Sequence, residues 1–481
     1  MSIAELDPWQ CLALLQHELL LFAGVFFLIG ALDDLAVDAV WLWLRATGRI
    51  TTARRGRAAL QSRPLSGPVA VVIPAWREAA IIGQTVRHLL DTWPQHELRL
   101  YVGCYRNDPA TLGAAITAAR RDPRLRLVIH DRDGPTTKAD CLNRLYSALV
   151  LDEERSGRRY AAVVFHDAED IVDTGGLGLL DEAVAGGADF VQIPVEPLVP
   201  RHRGFLGRHI GSHYCEEFTE AHGKAMVVRD ALGAGLPGAG VGCATSRRAL
   251  DWLVARQRAE GSAGLPFASD SLTEDYELGL AIAAAGGRCR FVRVRGDDGR
   301  LIATRAYFPH SVDTVVRQKG RWVLGIALQG WDRVGWAGGL TEHWMRARDR
   351  RGPLTALLLL IGYVLVVLTG LMGLAVAAGI AEPVPLSPLL KAFLAANALA
   401  FAWRIMLRFG FTAREYGIAE GLWAVARVPL ANVLAIIAGR RALVIYIRAL
   451  AGRTAAWDKT EHDANPSAAA APSSAQLSMA R

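Results

Sequence analysis

The chain has 481 residues, 52% of them hydrophobic, and a positive mean hydropathy. It is richer in apolar residues than a typical soluble enzyme, which predicts membrane segments beside a globular part. The net charge of +7 is concentrated in arginine clusters next to apolar stretches, which is typical of cytoplasmic membrane flanks, and we expect no nucleic-acid partner. The six cysteines form no CxxC pair, which argues against a zinc site or a disulfide framework.

The N-terminal region is predicted to cross a membrane once. Residues 1–18 contain no Lys or Arg, so they lack the basic start of a signal peptide, and we expect them outside the cytoplasm. Residues 19–43 are predicted to form a transmembrane helix, and the basic linker 44–65 then places the next domain in the cytoplasm by the positive-inside rule.

Three aspartates interrupt the predicted helix: Asp33, Asp34 and Asp38. Either they face protein partners inside the membrane or they mark a bend at its surface.

Residues 66–335 are predicted to form an α/β domain with a Rossmann-like parallel or mixed sheet. The segments PVAVVIPAW, LRLYVGCY, LRLVIH and YAAVVFHDAED have the continuous apolar texture of buried strands, with helical patterns between them. Such sheets bind ligands beyond the carboxyl ends of their strands, and polar residues follow three of these strands, at 76–78, 107–108 and 166–170. No GxGxxG follows the first strand, which argues against a dinucleotide site.

Two further transmembrane helices are predicted at 354–380 and 386–403, joined by a loop without basic residues. Residues 418–453 are also apolar, but a span there would export the basic segment GRRALVIYIRALAGR. We therefore expect interfacial amphipathic or re-entrant helices at the cytoplasmic face. The Ala-, Ser- and Pro-rich residues 464–481 are predicted to be a disordered tail.

The first acidic cluster follows the fourth predicted strand. Asp167 and Glu169 are suited to hold a hard divalent cation through oxygen ligands, and the alternative is that Asp167 or Asp170 caps the next element. His166 has no His or Cys partner at ligand spacing, so we expect a hydrogen-bonded structural histidine rather than a metal ligand.

The second acidic cluster opens a predicted helix with Thr273, Glu274 and Asp275. These residues suit helix capping, with Thr at the cap and the carboxylates in the first turn. A carboxylate beside a bound cation also suits the role of general base, because it takes the proton of an attacking hydroxyl. The glycine-rich stretch 235–242 leaves two interpretations as well, close backbone approach to a ligand or a turn-rich linker.

A third signal is the segment VVRQKGRWVLGIALQGW. On a helix, Gln318, Arg321 and Trp322 are spaced i, i+3 and i+4 and share one face. An amphipathic surface helix explains this spacing as well as a functional helix does. The order of all three signals along the chain, ending on a helix that leads to a membrane span, favours function.

These segments resemble the family 2 glycosyltransferases with a GT-A fold, in particular the membrane-embedded, polysaccharide-making type typified by cellulose and hyaluronan synthases. That family carries a first Asp, a DxD, a TED and a Q-x-x-R-W, and this chain has Asp108, DAE, TED and QKGRW. A closer likeness, to the inner-membrane glycosyltransferases of bacteriophage receptor systems, rests on IPAWREA, NDPAT, GPTTKADCLN, FHDAEDIVD, GAGVGC, SLTEDYELG and VRQKGRW. It extends from about residue 33 to about residue 450.

The resemblance implies a role for each matching residue. Asp167 and Glu169 would hold Mg²⁺ or Mn²⁺, Asp275 beside Glu274 would be the base, and Arg321 would act on the leaving diphosphate. Trp322 would bind the acceptor. The donor would be bound by residues from four segments: Ala75, Glu78, Asn107, Asp108, Lys138, Asp140 and Gln318.

Two positions depart from the family pattern. Glu169 stands where the second Asp of DxD is expected, and Asn107 competes with Asp108 for the role of the first acid.

The resemblance also implies the reaction. It predicts inverting, metal-dependent transfer of a hexose or N-acetylhexosamine from a UDP-sugar to a growing polysaccharide, coupled to export across the bacterial inner membrane by a multi-pass protein with a cytoplasmic catalytic domain. An export partner in the outer membrane is compatible with it. The alternatives are transfer of a single sugar to a lipid carrier and a membrane scaffold or phage-receptor subunit without catalysis.

Overall fold

The computed structural model describes residues 7–262, 264–383 and 385–452. The predicted disordered tail at 464–481 lies outside the described residues, as do the first six residues of the predicted non-cytoplasmic segment.

Seven strands form a central mixed sheet: β2 (Val69–Pro74), β3 (Leu98–Tyr105), β4 (Leu125–His130), β5 (Ala162–Phe165), β6 (Phe190–Gln192), β8 (Cys243–Ser246) and β9 (Cys289–Phe291). Their order is β4-β3-β2-β5-β8-β6-β9, and β8 runs antiparallel to both of its neighbours. Two-stranded parallel sheets pair β1 (Ala53–Arg54) with β10 (Val294–Arg295) and β7 (Val195–Pro197) with β11 (Thr304–Ala306). The predicted α/β fold class with a parallel or mixed sheet is confirmed.

The sheet forms because its central strands are apolar on both faces. In β2, the five residues from Val69 to Ile73 are all buried, as expected for a parallel strand covered by helices on both sides. Among the described residues, nine α-helices lie between β1 and β11: α2 (Arg57–Ser62), α3 (Ile82–Thr92), α4 (Pro109–Ala119), α5 (Lys138–Ser156), α6 (Gly176–Ala185), α7 (Gly204–Glu220), α8 (Met226–Ala231), α9 (Arg247–Ala259) and α10 (Glu274–Ala284).

The segment after β11 is helical: α11 (Val312–Val323), α12 (Gly330–Val334), α13 (Leu340–Arg350), α14 (Gly352–Ala377), α15 (Pro388–Tyr416), α16 (Ile418–Ala426) and α17 (Val428–Leu450). In the part of the chain that the structure describes, two π-helical turns interrupt the helices, at Ala221–Ala225 between α7 and α8 and at Leu324–Gln329 between α11 and α12. Such turns are rare and occur often at functional sites.

Four helices among the described residues are long and apolar enough to cross a membrane: α1 (Pro8–Ala46), α14, α15 and α17. The first three overlap the predicted spans, and α15 continues beyond residue 403 to Tyr416. The fourth, α17, lies within residues 418–453, for which the sequence predicts an interfacial or re-entrant position. Its length and composition allow a span, and the interfacial position stays a prediction.

The aspartates of α1 face protein partners, which was one of the two interpretations left open by the sequence. Asp34 Oδ1 lies 2.9 Å from a guanidinium nitrogen of Arg348 and 2.7 Å from one of Arg351, and its Oδ2 contacts Arg404. Asp38 lies 2.5 Å from the ammonium nitrogen of Lys224. Ion pairs therefore join α1 to α13, to α15 and to the π-helical turn at Ala221–Ala225.

Asp34→Asn is expected to lower the free energy of unfolding by roughly 3 kcal/mol, the order seen when one partner of a buried ion pair is removed. The Asp34 side chain is only 15% exposed. Its loss leaves Arg348 and Arg351 to share the carboxylate of Asp33 and leaves Arg404 with Glu220 at 3.5 Å, so this buried network is left with excess positive charge. Thermal unfolding in detergent, followed by tryptophan fluorescence, measures the change. Glu18→Gln is the matched control on the same helix, because the Glu18 side chain is 65% exposed, and it should change stability by less than about 1 kcal/mol. Equal melting temperatures for the two variants would contradict the prediction.

Candidate active site

The carboxyl ends of β2, β3 and β5 meet at one edge of the sheet, as predicted. Asp108, directly after β3, fixes the loop that follows β2. Its Oδ2 accepts a hydrogen bond from the backbone N–H of Arg77 at 2.6 Å, and its Oδ1 accepts one from the backbone N–H of Thr111 at 3.4 Å. The backbone N–H of Glu78 donates to the Thr111 hydroxyl at 2.9 Å. The structure thus brings Asp108 and Glu78 together, with Ala75 buried at the end of β2.

Asn107 and Asp140 bind protein groups on the same side of the sheet. The Asn107 side chain exchanges two hydrogen bonds with the backbone of Gly134, at 2.8 and 2.9 Å. Asp140, in the first turn of α5, pairs with Arg132 and lies 3.1 Å from Nε2 of His130. These contacts hold the 131–135 loop against the start of α5 and do not by themselves assign either residue to a donor.

The ammonium group of Lys138 lies between the two acidic clusters. Its Nζ lies 2.6 Å from Oδ1 of Asp167 and 3.8 Å from Oε1 of Glu274. Burial lowers the pKa of Lys138, but the charges of Asp167, Glu274 and Asp275 outweigh burial and hold this pKa above its usual value. Lys138 is therefore a permanent cation that joins the two acidic clusters identified in the sequence.

Glu274 and Asp275 are two adjacent carboxylates at the start of α10. Burial, reinforced by the charge of Asp275, raises the pKa of Glu274 to about 7, although Lys138 opposes the shift. Burial also raises the pKa of Asp275 against the opposing effect of Lys138. The helix-capping interpretation of this cluster is wrong for Thr273, because its side chain makes no capping hydrogen bond to α10 and its hydroxyl is buried without a hydrogen-bond partner among the described residues.

The first acidic cluster does not cap the next helix either, which was the alternative interpretation of Asp167 and Asp170. Helix α6 begins at Gly176, after Gly175. Asp170 instead binds His166, with 2.7 Å between Oδ2 and Nδ1, and accepts a hydrogen bond from the backbone N–H of Asp167 at 3.1 Å. The expectation of a hydrogen-bonded structural His166 is confirmed, and the turn presents the Asp167 carboxylate, which is 30% exposed.

The glycine-rich stretch 235–242 makes a close backbone approach, here to the candidate acids. Gly240 has a φ of +79°, and a Cβ at this position would collide with the Asp275 carboxylate and lie 3.4 Å from Nζ of Lys138. Only glycine adopts this backbone conformation without strain and leaves this space. The sequence analysis did not name Gly240, although the density of glycines was the signal.

Arg321 has a free donor next to the acids. Its Nε is buried and has no hydrogen-bond partner among the described residues, and its charge lowers the pKa of both Glu274 and Asp275. A buried guanidinium donor without a partner is costly unless a ligand satisfies it. Gln318 lies one turn earlier on α11 and accepts a hydrogen bond from the Tyr214 hydroxyl at 2.7 Å.

Trp322 packs in an apolar cluster formed by α7, α11 and α17. Its ring meets the ring of Tyr214 edge to face, with centroids 6.1 Å apart and an interplanar angle of 82°. Ile210, Val316 and Leu434 belong to the same cluster. The predicted acceptor-binding role of Trp322 stays a prediction, and Tyr214 is a neighbour of the site that sequence reasoning missed.

The π-helical turn after α11 packs on Thr273, the residue that precedes the two candidate acids at the start of α10. A Cβ at Gly325 would lie 2.5 Å from both Cγ2 and Oγ1 of Thr273. One turn before, a Cβ at Gly320 would lie 3.3 Å from Cδ of Arg441 in α17. Two glycines therefore let the helix of Arg321 approach the acids on one side and an apolar helix on the other. The glycines of QKGRWVLG were the only signal of this in the sequence.

Asp167 and Glu169, the two residues predicted to hold a metal, can supply only some of the ligands that a metal ion needs. No group of three His, Cys, Asp or Glu residues in the described part of the chain is arranged to hold a metal ion. Mg²⁺ at nucleotide sites is usually held by one or two carboxylates together with substrate phosphates, and the partly exposed Asp167 and Glu169 offer such a pair. The residues therefore fit a divalent cation that a bound diphosphate helps to hold.

Comparison with known proteins gives the family. The family described as "Glycosyltransferase like family 2" matches residues 66–325. The chain is 33% identical over 472 residues to bacteriophage adsorption protein B of Escherichia coli (strain K12), and equally to bacteriophage N4 adsorption protein B of Escherichia coli O157:H7, covering 92% of this chain and 61% of each relative. The chain thus spans about three fifths of the length of the curated relatives it matches.

A solved structure agrees with the fold. The mannosyltransferase PcManGT from Pyrobaculum calidifontis, in complex with GDP-Man and Mn²⁺, superimposes with a TM-score of 0.51 at 16% sequence identity, covering 86% of this chain and 98% of that chain. This likeness concerns the fold alone. Because the family match covers the central sheet, both acidic clusters and the whole of α11, the chain belongs to the glycosyltransferase-like family 2.

Proposed function

We propose that the chain transfers a hexose or N-acetylhexosamine from a UDP-sugar to a growing polysaccharide, with inversion at the anomeric carbon. The observation that carries the proposal is the buried cluster in which Lys138 joins Asp167 to Glu274 and Asp275, with the free donor of Arg321 beside it. Raised acid pKa values and an unsatisfied cationic donor in one place are typical of catalytic sites.

Asp275 is the proposed general base. Its raised pKa makes its carboxylate a stronger proton acceptor than an exposed aspartate, so it takes the proton of the acceptor hydroxyl as that oxygen attacks the anomeric carbon. Because its pKa is about 7, Glu274 is only partly ionised near neutral pH, and in its ionised form it would add to the basicity of Asp275. Attack from the face opposite to the leaving diphosphate gives inversion in a single displacement.

Arg321 is the proposed partner of the leaving diphosphate. Negative charge grows on the diphosphate as the sugar departs, and a pre-positioned guanidinium stabilises this charge without reorganisation. Its buried Nε is the free donor for this contact. The donor nucleotide would lie against Ala75, Glu78, Asn107, Asp108, Lys138, Asp140 and Gln318. Mg²⁺ or Mn²⁺, held by Asp167 and Glu169, would supply further charge neutralisation of the diphosphate.

The polymer is proposed to leave through the membrane part, at the bacterial inner membrane with the catalytic domain in the cytoplasm. The helix of Arg321 and Trp322 packs on α17 and leads through α12 and α13 to α14. Arg45 and Arg49 at the end of α1 agree with a cytoplasmic flank. Trp322 would stack on the acceptor sugar, and an outer-membrane partner would receive the product.

A second candidate function is transfer of a single sugar to a lipid carrier. A groove of about 840 Å³ between α1, α14 and α15 has apolar walls, including Phe26 and Leu358, and a polar part in which arginines pair with Asp33 and Asp34. Apolar walls beside a charged region suit an amphipathic carrier. Product length separates the two, because single additions exclude a polymerase. The relatives are named for phage adsorption, so a scaffold without catalysis is the alternative of another class.

Asp275→Asn is expected to lower sugar transfer by at least about 100-fold, because an amide cannot take the hydroxyl proton. Purified protein in detergent is supplied with Mg²⁺ or Mn²⁺ and with a panel of UDP-sugars and GDP-mannose, and nucleoside diphosphate release and product length are measured. Asp270→Asn is the control, because the Asp270 side chain is 80% exposed in the loop before α10, and it should keep wild-type turnover. Unchanged turnover in Asp275→Asn would rule out the proposed base, and turnover of GDP-mannose alone would rule out the UDP-sugar donor.

Glu274 should make the wild-type protein less stable as the pH rises. Its pKa is about 7 in the folded chain, above the value of 4.5 for an unperturbed glutamate, so the folded state binds more protons between these values and stability falls as the pH increases through this window. Between pH 5.5 and 8 the loss should be about 2 kcal/mol. Glu274→Gln lacks this ionisation. The melting temperature of the variant minus that of the wild type should therefore rise from pH 5.5 to pH 8, and a constant difference would refute the raised pKa.

Arg321→Ala and Trp322→Ala should have different kinetic effects. Loss of Arg321 removes a contact that strengthens in the transition state, so kcat should fall roughly 100- to 1,000-fold with little change in donor KM. Loss of Trp322 removes acceptor stacking, so acceptor KM should rise while donor hydrolysis in the absence of acceptor stays close to wild type. Steady-state kinetics with donor and acceptor varied separately measure both. If both variants raised only the donor KM, the proposed division of roles would be wrong.

A further inference from the structure

A cavity of about 960 Å³ lies beside the ends of two candidate membrane helices, and none of the proposed catalytic residues lines it. Its walls come from the ends of α1 and α15, the loop 50–53, the turn at Gly223, α8, and the β9–β10 segment. Six arginines line it: Arg45, Arg49, Arg288, Arg290, Arg293 and Arg414. Among the described residues that line it, Asp230 is the one acid. We refer to it as the arginine cavity.

The positive charge of the arginine cavity is only partly compensated. Asp230 lies 3.3 Å from Arg290. Outside the lining, Oε1 of Glu415 lies near three guanidinium groups, at 2.9 Å from Arg293, 2.5 Å from Arg295 and 3.9 Å from Arg414. Two acids therefore face a larger number of arginines, and an anion entering the cavity would meet an excess of positive charge.

Arg293 has an unused donor in this wall. Its side chain is 10% exposed, and its Nε is buried with no hydrogen-bond partner in the described part of the chain. Burial, together with the charges of Arg295 and Arg414, lowers the pKa of Arg293 to about 10. Additional negative charge would relieve both the unsatisfied donor and the repulsion between the guanidinium groups.

Part of the lining of the arginine cavity is aromatic. The rings of Trp41 and Phe411 lie with their centroids 5.3 Å apart, and the guanidinium of Arg45 lies 5.4 Å from the centre of the Trp41 ring. Tryptophan and arginine at the end of an apolar helix are typical of a membrane–water interface. The cavity thus joins an apolar surface to a cationic one, which matches a ligand with a phosphate head and apolar chains.

We propose that the arginine cavity binds the headgroup phosphate of an anionic phospholipid. The guanidinium groups donate charge-assisted hydrogen bonds to the phosphate oxygens, while the acyl chains lie along the exposed apolar residues at the ends of α1 and α15, such as Leu42 and Met406. The proposal depends on α1 and α15 crossing the membrane with these ends at the cytoplasmic surface, where anionic lipids concentrate. It is independent of the catalytic assignments.

Native mass spectrometry of the full chain in detergent tests the site with phosphatidylglycerol and phosphatidylcholine at equal concentrations. The wild type should retain phosphatidylglycerol at least about tenfold better, and Arg45→Gln/Arg49→Gln/Arg288→Gln should reduce this preference to about twofold or less, since each arginine near an anionic headgroup contributes roughly a fivefold effect. The substituted arginines are exposed, so folding should survive. The control removes equal charge from three exposed arginines elsewhere, Arg87→Gln/Arg155→Gln/Arg256→Gln, and should keep the wild-type preference.

Three results would overturn the proposal: equal retention of both lipids by the wild type, an unchanged preference in the cavity variant, or an equal loss in the control variant. Competition by millimolar glycerol 3-phosphate separates a lipid from a free phosphate. Full displacement of phosphatidylglycerol by this soluble anion would assign the cavity to small phosphates and also overturn the lipid assignment. If the triple variant melts below the control variant, Arg49→Gln alone replaces it and should reduce the preference roughly fivefold, and an unchanged preference would again reject the site.

Discussion

The ammonium group of Lys138 is the charge on which the candidate active site depends. It lies within ion-pair distance of Asp167 and Glu274, and its field also reaches Asp275. Three carboxylates in a largely buried space repel each other and lose hydration, so they would take up protons or move apart without a nearby cation. Lys138 starts α5, Asp167 follows β5 and the other two acids open α10. One cation therefore holds three elements in the arrangement that the proposed chemistry needs.

Charge also joins the catalytic domain to the helices that are candidates for membrane spans. Lys224, in the π-helical turn after α7, lies 2.5 Å from Asp38 of α1 and 2.8 Å from Glu220. Arg427, between α16 and α17, lies 2.9 Å from Glu216 and 2.7 Å from Glu420. These pairs are almost fully buried, and buried pairs require accurate geometry to offset the loss of hydration. They favour one relative position of the two parts over a loose tether.

The sequence predicted the parts of this structure that depend on local pattern. Continuous apolar runs located β2 to β5, and the rule that ligands bind at the carboxyl ends of parallel strands located the loops of Asp108 and Asp167. Capping could not be judged in the same way, because the Thr273 side chain makes no capping hydrogen bond to α10 and lies against Gly325, which is distant in the sequence. The contacts of Tyr214 with Trp322 and of Lys138 with Asp167 join segments that are distant in the sequence. The periodicity of apolar residues predicts single helices and strands, so it does not predict such contacts. Apolar length likewise does not decide whether α17 spans or lies at the surface.

The close packing at Gly320 and Gly325 limits where the chain can be truncated without exposing its interior. Gly320 allows α17 to pack closely on α11, and Gly325 allows Thr273 to pack closely on the π-helical turn that follows α11. The helix that carries Arg321 therefore packs against both the sheet domain and the apolar helices. A fragment ending near residue 335 would keep every acid of the site, yet it would expose the side of α11 that α17 covers, including the apolar residues around Leu434. The unit of folding is therefore larger than residues 66–325, the segment that matches the family, and a catalytic domain cut off after this segment would expose an apolar surface.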